Sequence, residues 1–497
     1  MGRGQSAEWN CCANLIYTSR DIGDARRDPP NSRFSSGLYL WDHLYLAHRA
    51  LCGRSVALSG ISLAGKRSSR TPSEVKVAVI FHRFGPYHCA RLEAASRRCA
   101  VVGIELGAET REYGWSKVEG THAFEWVTLF PESDSRLSQV GELEKRVREA
   151  LSVCQPDAVA LPGWSDKGAL AALRWCIDNG VPAVLMSESM AIDESRVWWK
   201  EFAKRRIIAL CSAALVGGQR HKDYLTELGM PRDHVFIGYD VVDNDYFAQG
   251  AKEVESRKEK VEWSRREPSD MDEARRVRER ARANQSGLPE NYFLASARFI
   301  PKKNLDVLIR AYAEYRQRPA GGGQRSEVWS LVLLGDGPLK SDLTTLISDL
   351  GLQDSVLLPG FKQYDELPIY YGLANAFVHA SSTEQWGLVV NEALASGLPV
   401  VVSDRCGCSP ELVRDGINGF TFDPDNQSQL ASRLLEMSSL PTQERKRMGK
   451  AGQEIAGQFG PQKFGEGLEQ AARKAMDRLP TSRSLFDRVL LAAVLRF

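Results

Sequence analysis

Cysteine is scarce in this chain, with ten among 497 residues. That is too few for a disulfide scaffold and fits reduced thiols in a cytoplasmic protein. Cys11 and Cys12 are adjacent and Cys406 and Cys408 are spaced C-x-C. Neither pair has a second pair, or histidines, at zinc-site spacing, so no metal is expected. An excess of one charge is also missing: 65 basic and 63 acidic side chains leave a net +2. Nucleic acid is therefore not an expected partner, since phosphate backbones demand a clustered basic surplus. No run of about 18 apolar residues supplies a membrane-spanning helix. The first residues lack the compact apolar core of a secretory leader. There is no HExxH and no GxSxG. Gly60-x4-Gly65-Lys66 stops short of a P-loop, because Arg67 stands where a magnesium-binding Ser or Thr is required. Three D-x-D triplets, at 243–245, 270–272 and 423–425, are scattered through an acid-rich chain and carry no metal reading.

What is present is a change of pattern near residue 74. Residues 1–73 mix charge clusters with Pro29-Pro30 and show no sustained periodicity, so they read as a poorly ordered extension. From 75 onward, short apolar runs alternate with amphipathic segments. The runs at 75–81, 99–106, 158–161, 181–186 and 213–216 are strand-like, and 143–153 and 166–179 have helical spacing. This alternation predicts a doubly wound α/β domain over 74–250. A charge-dense linker or insertion follows at 251–288. A second series spans 289–458, with strands at 292–297, 329–334, 355–358, 376–380 and 399–403 and a surface insertion at 319–324. Helices at 459–497 are expected to pack back on the first domain. Neither series has GxGxxG after its first strand, which argues against a dehydrogenase.

The stretch 382–402 (STEQWGLVVNEALASGLPVVV) carries the chemistry. A strand at 376–380 runs into a glycine turn and then a helix. The free amides of Gly387, Leu388 and Val389 thus stand at the C-terminal edge of a parallel sheet. Such an edge suits a diphosphate. Glu384 before the helix and Glu392 inside it would meet hydroxyls, since carboxylates accept hydrogen bonds and repel anions. A polyol joined to a diphosphate is a nucleotide sugar. Taken alone, the two glutamates would pass for solvated helix charges.

With its neighbours, this stretch resembles the E-x7-E segment of retaining GT-B glycosyltransferases of family 4. The segment 297–304 (ARFIPKKN) looks like that family's phosphate-clamping stretch, 334–339 (LGDGPL) matches its GDGP turn, and Ser409-Pro410-Glu411-Leu412 with Gly416, Asn418 and Gly419 matches a further motif. The resemblance covers nearly all of 75–477. It implies two Rossmann-like domains facing a cleft, with the nucleoside-diphosphate sugar in the C-terminal half and an unidentified acceptor in the other. Arg298 and Lys303 would neutralise the leaving diphosphate, Glu384 would contact the donor sugar and Glu392 the ribose. Gly387, Leu388, Val389, Gly335 and Gly85 would line the donor site. No cofactor or metal is implied.

The N-terminal half departs from the family pattern. Where a Gly-rich loop is usual, residues 81–88 read FHRFGPYH, with Gly85 alone. His88, beside it at a helix start, is the candidate acceptor-side base or phosphate contact, against a capping or packing role. The polar, aromatic and basic stretch 187–206 reads either as an acceptor or peripheral membrane surface, or as a half-buried helix with a basic outer face. A sugar-nucleotide epimerase or GT-B phosphorylase would share the diphosphate clamp, and the altered N-terminal loop permits a different class, a catalytically weak homologue that acts as a binding or assembly partner.

Overall fold

The computed structural model describes residues 75–107, 115, 116, 118, 120–131, 139–266, 287–318, 328–477, 489, 491, 492, 494 and 495. The expected N-terminal extension, the 319–324 insertion and most of the charged stretch after 266 lie outside these residues. Two parallel sheets carry the fold. The first holds β1 (Lys76–Phe81), β2 (Ala100–Gly107), β3 (Glu125–Phe130), β4 (Ala158–Pro162), β5 (Ala183–Ser187), β6 (Ala213–Val216) and β7 (Val235–Ile237), ordered β3-β2-β1-β4-β5-β6-β7. The second holds β8 (Tyr292–Ser296), β9 (Ser330–Leu334), β10 (Val356–Gly360), β11 (Ala376–His379), β12 (Val400–Ser403) and β13 (Gly419–Phe422), ordered β10-β9-β8-β11-β12-β13. In both, the order reverses beside the first strand, which opens a crevice at the strands' C-terminal ends. This is the GT-B architecture.

Inner strands such as VAVIF of β1 and VVV of β12 are apolar on both faces because helices cover both faces of each sheet. Their ends are set by local chemistry. The helix Lys167–Asn179 begins where Asp166 Oδ1 accepts from the Ala169 amide at 2.8 Å, and stops at Gly180 with φ 70°.

The expected boundary at 250/251 falls inside a continuous helix, Asn244–Arg266. Its first turns already belong to the C-terminal core, where Phe247 is buried beside Tyr371 and Leu367. The helix Pro461–Asp477 returns to the first domain and buries Phe464, Leu468, Ala471 and Ala475 among Val77, Val79 and Leu215. Small residues permit that approach: a Cβ on Gly465 would stand 2.9 Å from the Ala94 carbonyl oxygen. Leu491 and Leu495 are buried in the N-terminal core as well. No helix among the described residues is long and apolar enough to cross a membrane.

Candidate functional site

The rim of the C-terminal domain gathers most of the residues singled out from the sequence. Arg298 lies on the loop after β8, and the GDGP turn after β9 holds that loop. The Ala297 amide donates to the Leu334 carbonyl at 3.0 Å and the Phe299 amide to the Asp336 carbonyl at 2.8 Å. This contact requires glycine. Gly335 has φ +129°, and a Cβ there would sit 1.9 Å from the Ala297 carbonyl oxygen. Gly335 therefore shapes the loop that presents Arg298.

A few residues on, the same loop reaches the E-x7-E segment. The Ser382 amide donates to the Lys302 carbonyl at 2.9 Å, and Lys303 forms an ion pair with Glu384. Glu384 also accepts from Ser381 Oγ at 3.1 Å and lies 3.4 Å from His379 Nε2. Burial alone would raise this carboxyl, but Lys303 and the His379 hydrogen bond hold it well below the usual carboxylate range. Lys303, expected on the phosphates, is thus engaged with the Glu384 carboxylate. Gly387, with φ +103°, turns the chain into the helix Leu388–Ala395. The Gly387, Leu388 and Val389 amides have no hydrogen-bond partner among the described residues and form the positive end of that helix.

Glu392 is 2% exposed and accepts from two tyrosine hydroxyls, Tyr87 and Tyr371, each at 2.7 Å. Burial raises its pKa, while both hydroxyls work in the opposite direction.

The rim of the N-terminal domain is organised otherwise. Gly85 caps the helix Pro86–Ser96, and its amide donates to His88 Nδ1 at 3.1 Å. Gly85 therefore has no free amide for a phosphate. The neutral ring then carries its proton on Nε2, which has no hydrogen-bond partner among the described residues. Burial pushes the ring down to about 3, with Arg91 adding to the effect. A neutral ring protonated at Nε2 donates from that atom and has no lone pair there with which to act as a base.

The helix Gln219–Glu227 repeats the device: the Gly218 amide donates to His221 Nδ1 at 3.0 Å. Here the far nitrogen is occupied, bonding the Gln385 carbonyl of the other domain at 2.8 Å. Arg220 donates to the carbonyls of Asp404 and Cys406, and the Gln219 amide donates to Glu411. Beside this junction is an open pocket of about 460 Å³ lined by Met190, Ala191, Ile192, Arg220, Asp223, Tyr224, Glu227, Asp404 and Arg405.

Several of these groups escaped sequence reasoning: Tyr87, Tyr371, His379 and His221. Repetition of Gly-x-x-His at 85–88 and 218–221 was the available signal for His221. Nothing in spacing marks the tyrosines. Of the other stretch in question, the helix Trp198–Ile208 leaves Trp198 80% and Phe202 49% exposed, while Ile207 and Ile208 are buried. Among the described residues, no group of three His, Cys, Asp or Glu side chains is placed to hold a metal ion.

Residues 277–455 match the family model described as glycosyl transferases group 1. The chain is 34% identical over 151 residues to the amylovoran biosynthesis glycosyltransferase AmsK of Erwinia amylovora, covering 29% of this chain and 35% of that one. It is 31% identical over 152 residues to the GDP-mannose-dependent alpha-(1-6)-phosphatidylinositol monomannoside mannosyltransferase of Mycolicibacterium smegmatis, covering 29% and 38%. The matches thus span little more than a third of these two relatives. In structure it is similar to Anabaena HepE, solved in complex with UDP and glucose, with TM-score 0.57, 17% identity, and coverage of 80% of this chain and 98% of that one.

Proposed function

We propose that this chain is a retaining glycosyltransferase of family 4, transferring a sugar from a nucleoside-diphosphate sugar to an acceptor without a metal ion. The observation that carries the reading is the C-terminal rim. There Arg298, the Lys303–Glu384 pair and the amides of Gly387, Leu388 and Val389, unpartnered among the described residues, surround one edge of a parallel sheet. The bond from the anomeric carbon to the diphosphate oxygen breaks, and the electron pair leaves with the diphosphate. Arg298, the helix terminus and the ammonium donors that Lys303 does not spend on Glu384 stabilise that charge. The acceptor oxygen bonds to the same face, and its proton passes to the departing phosphate oxygen. Glu384, kept ionised by Lys303, accepts from a sugar hydroxyl, and Glu392 accepts from the ribose. His88 donates its Nε2 proton to a donor-side oxygen.

The match to glycosyl transferases group 1 over residues 277–455 supports this assignment, and the relatives named above bear glycosyltransferase names. Incubation with UDP-, GDP- and ADP-sugars without added metal tests it. Release of nucleoside diphosphate that falls at least a hundredfold in Glu384→Gln supports the reading. Wild-type turnover in that variant contradicts it.

A cytoplasmic enzyme touching a membrane is the reading we give to the Trp198 helix. Exposed Trp198 and Phe202 share one face with Arg205, a pattern suited to an anionic lipid surface. Flotation with vesicles containing phosphatidylglycerol, lost in a Trp198→Ser/Phe202→Ser variant, would bear this out. Equal flotation of both proteins would refute it.

A further inference from the structure

Glu392 is held from both domains. The Tyr371 hydroxyl comes from the C-terminal domain's helix Leu367–Leu373, and the Tyr87 hydroxyl crosses from the N-terminal domain. The rings around that crossing also come from both sides. Tyr87 stands edge-on to Trp115 at 6.2 Å and to Tyr364 at 5.5 Å. Trp115 in turn meets Phe361 at 5.5 Å and Tyr364 at 5.9 Å. Polar contacts fix the same junction. The Ser116 amide donates to Gln363 Oε1 at 3.0 Å, and Arg83 Nη2 donates to the Trp115 carbonyl at 2.9 Å.

An ionised carboxyl offers about four acceptor positions, and the two tyrosines take one on each oxygen. The positions left are those a vicinal diol would use. Hydroxyl donors fix the carboxylate without neutralising it, whereas a lysine or arginine there would compete with the ligand's own donors. Because Tyr87 belongs to the other domain, the orientation of Glu392 depends on the contact between the two rims.

We propose that Tyr87 is a positioning residue for the nucleoside end of the donor, orienting Glu392 toward the ribose hydroxyls from across the domain junction. This rests on the reading of Glu392 as the ribose contact.

The test is calorimetric titration of the full chain with UDP, GDP and ADP and, in parallel, with inorganic pyrophosphate, which has no ribose. Wild type, Tyr87→Phe, Tyr87→His and Glu392→Gln are compared. Tyr87→Phe should weaken the preferred nucleotide roughly fivefold to tenfold, as expected for lost preorganisation. Its pyrophosphate affinity should stay within about twofold, because the clamp does not involve Glu392. Tyr87→His keeps a donor and should fall between the two. Unchanged or tighter nucleotide binding by Tyr87→Phe would overturn the proposal, since the hydroxyl would then be a spectator or a competitor. An equal loss for nucleotide and pyrophosphate would overturn it too, as the mark of general distortion. Failure of the Glu392 reading looks different: Glu392→Gln itself would then bind nucleotide like wild type.

Discussion

The two domains present the same kind of edge to the cleft, yet they use it in opposite ways. On the C-terminal rim the glycine turn leaves the Gly387, Leu388 and Val389 amides unpartnered among the described residues, with charged side chains beside them. On the N-terminal rim two helix starts are closed by their own histidines, Gly85 by His88 and Gly218 by His221. A helix N-terminus binds an anion only if its amides are unused. The comparison therefore leaves unused amides on the C-terminal side, which is the side proposed for the diphosphate, and neutral histidine rings on the N-terminal side. Within the N-terminal rim a second contrast appears. His221 is committed to the Gln385 carbonyl across the cleft, whereas His88 Nε2 has no partner among the described residues.

Substitutions on the C-terminal rim should have the largest effects. Arg298→Ala should lower turnover about a thousandfold, or roughly 4 kcal/mol of transition-state stabilisation, with melting temperature near wild type. Gly335→Ala should act on stability instead. Its Cβ collides with the Ala297 carbonyl oxygen at a φ that L-residues avoid, so about 3 kcal/mol should be lost in denaturant unfolding. A Gly335→Ala protein as stable as wild type would break the claim that this turn shapes the Arg298 loop.

The histidines sharpen the contrast on the other rim. His221→Ala removes a buried ring bonded at both nitrogens and should cost about 2 kcal/mol while leaving nucleotide affinity unchanged. His88→Ala should reverse that profile, with turnover about tenfold lower, roughly 1.4 kcal/mol, and a smaller loss of stability. If the two variants behave alike, the distinction between a latch and a ligand-facing donor fails.

pH separates them further. Burial lowers the His221 ring to about 4, so the native state resists protonation below the unfolded value near 6.5. The stability that neutral His221 contributes is fully present above about pH 6.5 and is lost as pH falls toward 4. Between pH 6.5 and 5, wild type should lose about 1 kcal/mol per pH unit more than His221→Asn. Parallel pH–stability curves would contradict the buried, neutral assignment.

Much of this layout was legible in the chain because the inner strands are continuous apolar runs, and a run buried on both faces needs no partner to declare itself. Strands β3, β7 and β13 were not anticipated. EWVTLF is only half buried, VFI has three residues, and GFTF opens on glycine beside a turn. Short or edge strands are defined by the neighbour they pair with, and a local pattern does not contain that neighbour. The same reasoning applies at the site. Glu384, Glu392 and the glycine turn share one segment, so their chemistry could be read together. The Lys303–Glu384 pair joins segments 81 residues apart, and Tyr87–Glu392 joins residues 305 apart. No periodicity links such positions; only the folded domains do.

The central claim is that the C-terminal rim binds a nucleoside diphosphate through Arg298. Its most direct test is a thermal-shift titration with UDP, GDP and ADP, without metal, on wild type and Arg298→Ala. Binding confined to the native state raises the melting temperature by mass action. The account predicts a dose-dependent rise with at least one of the three, abolished or strongly reduced in Arg298→Ala. No rise with any of them, or an equal rise in the variant, would contradict it.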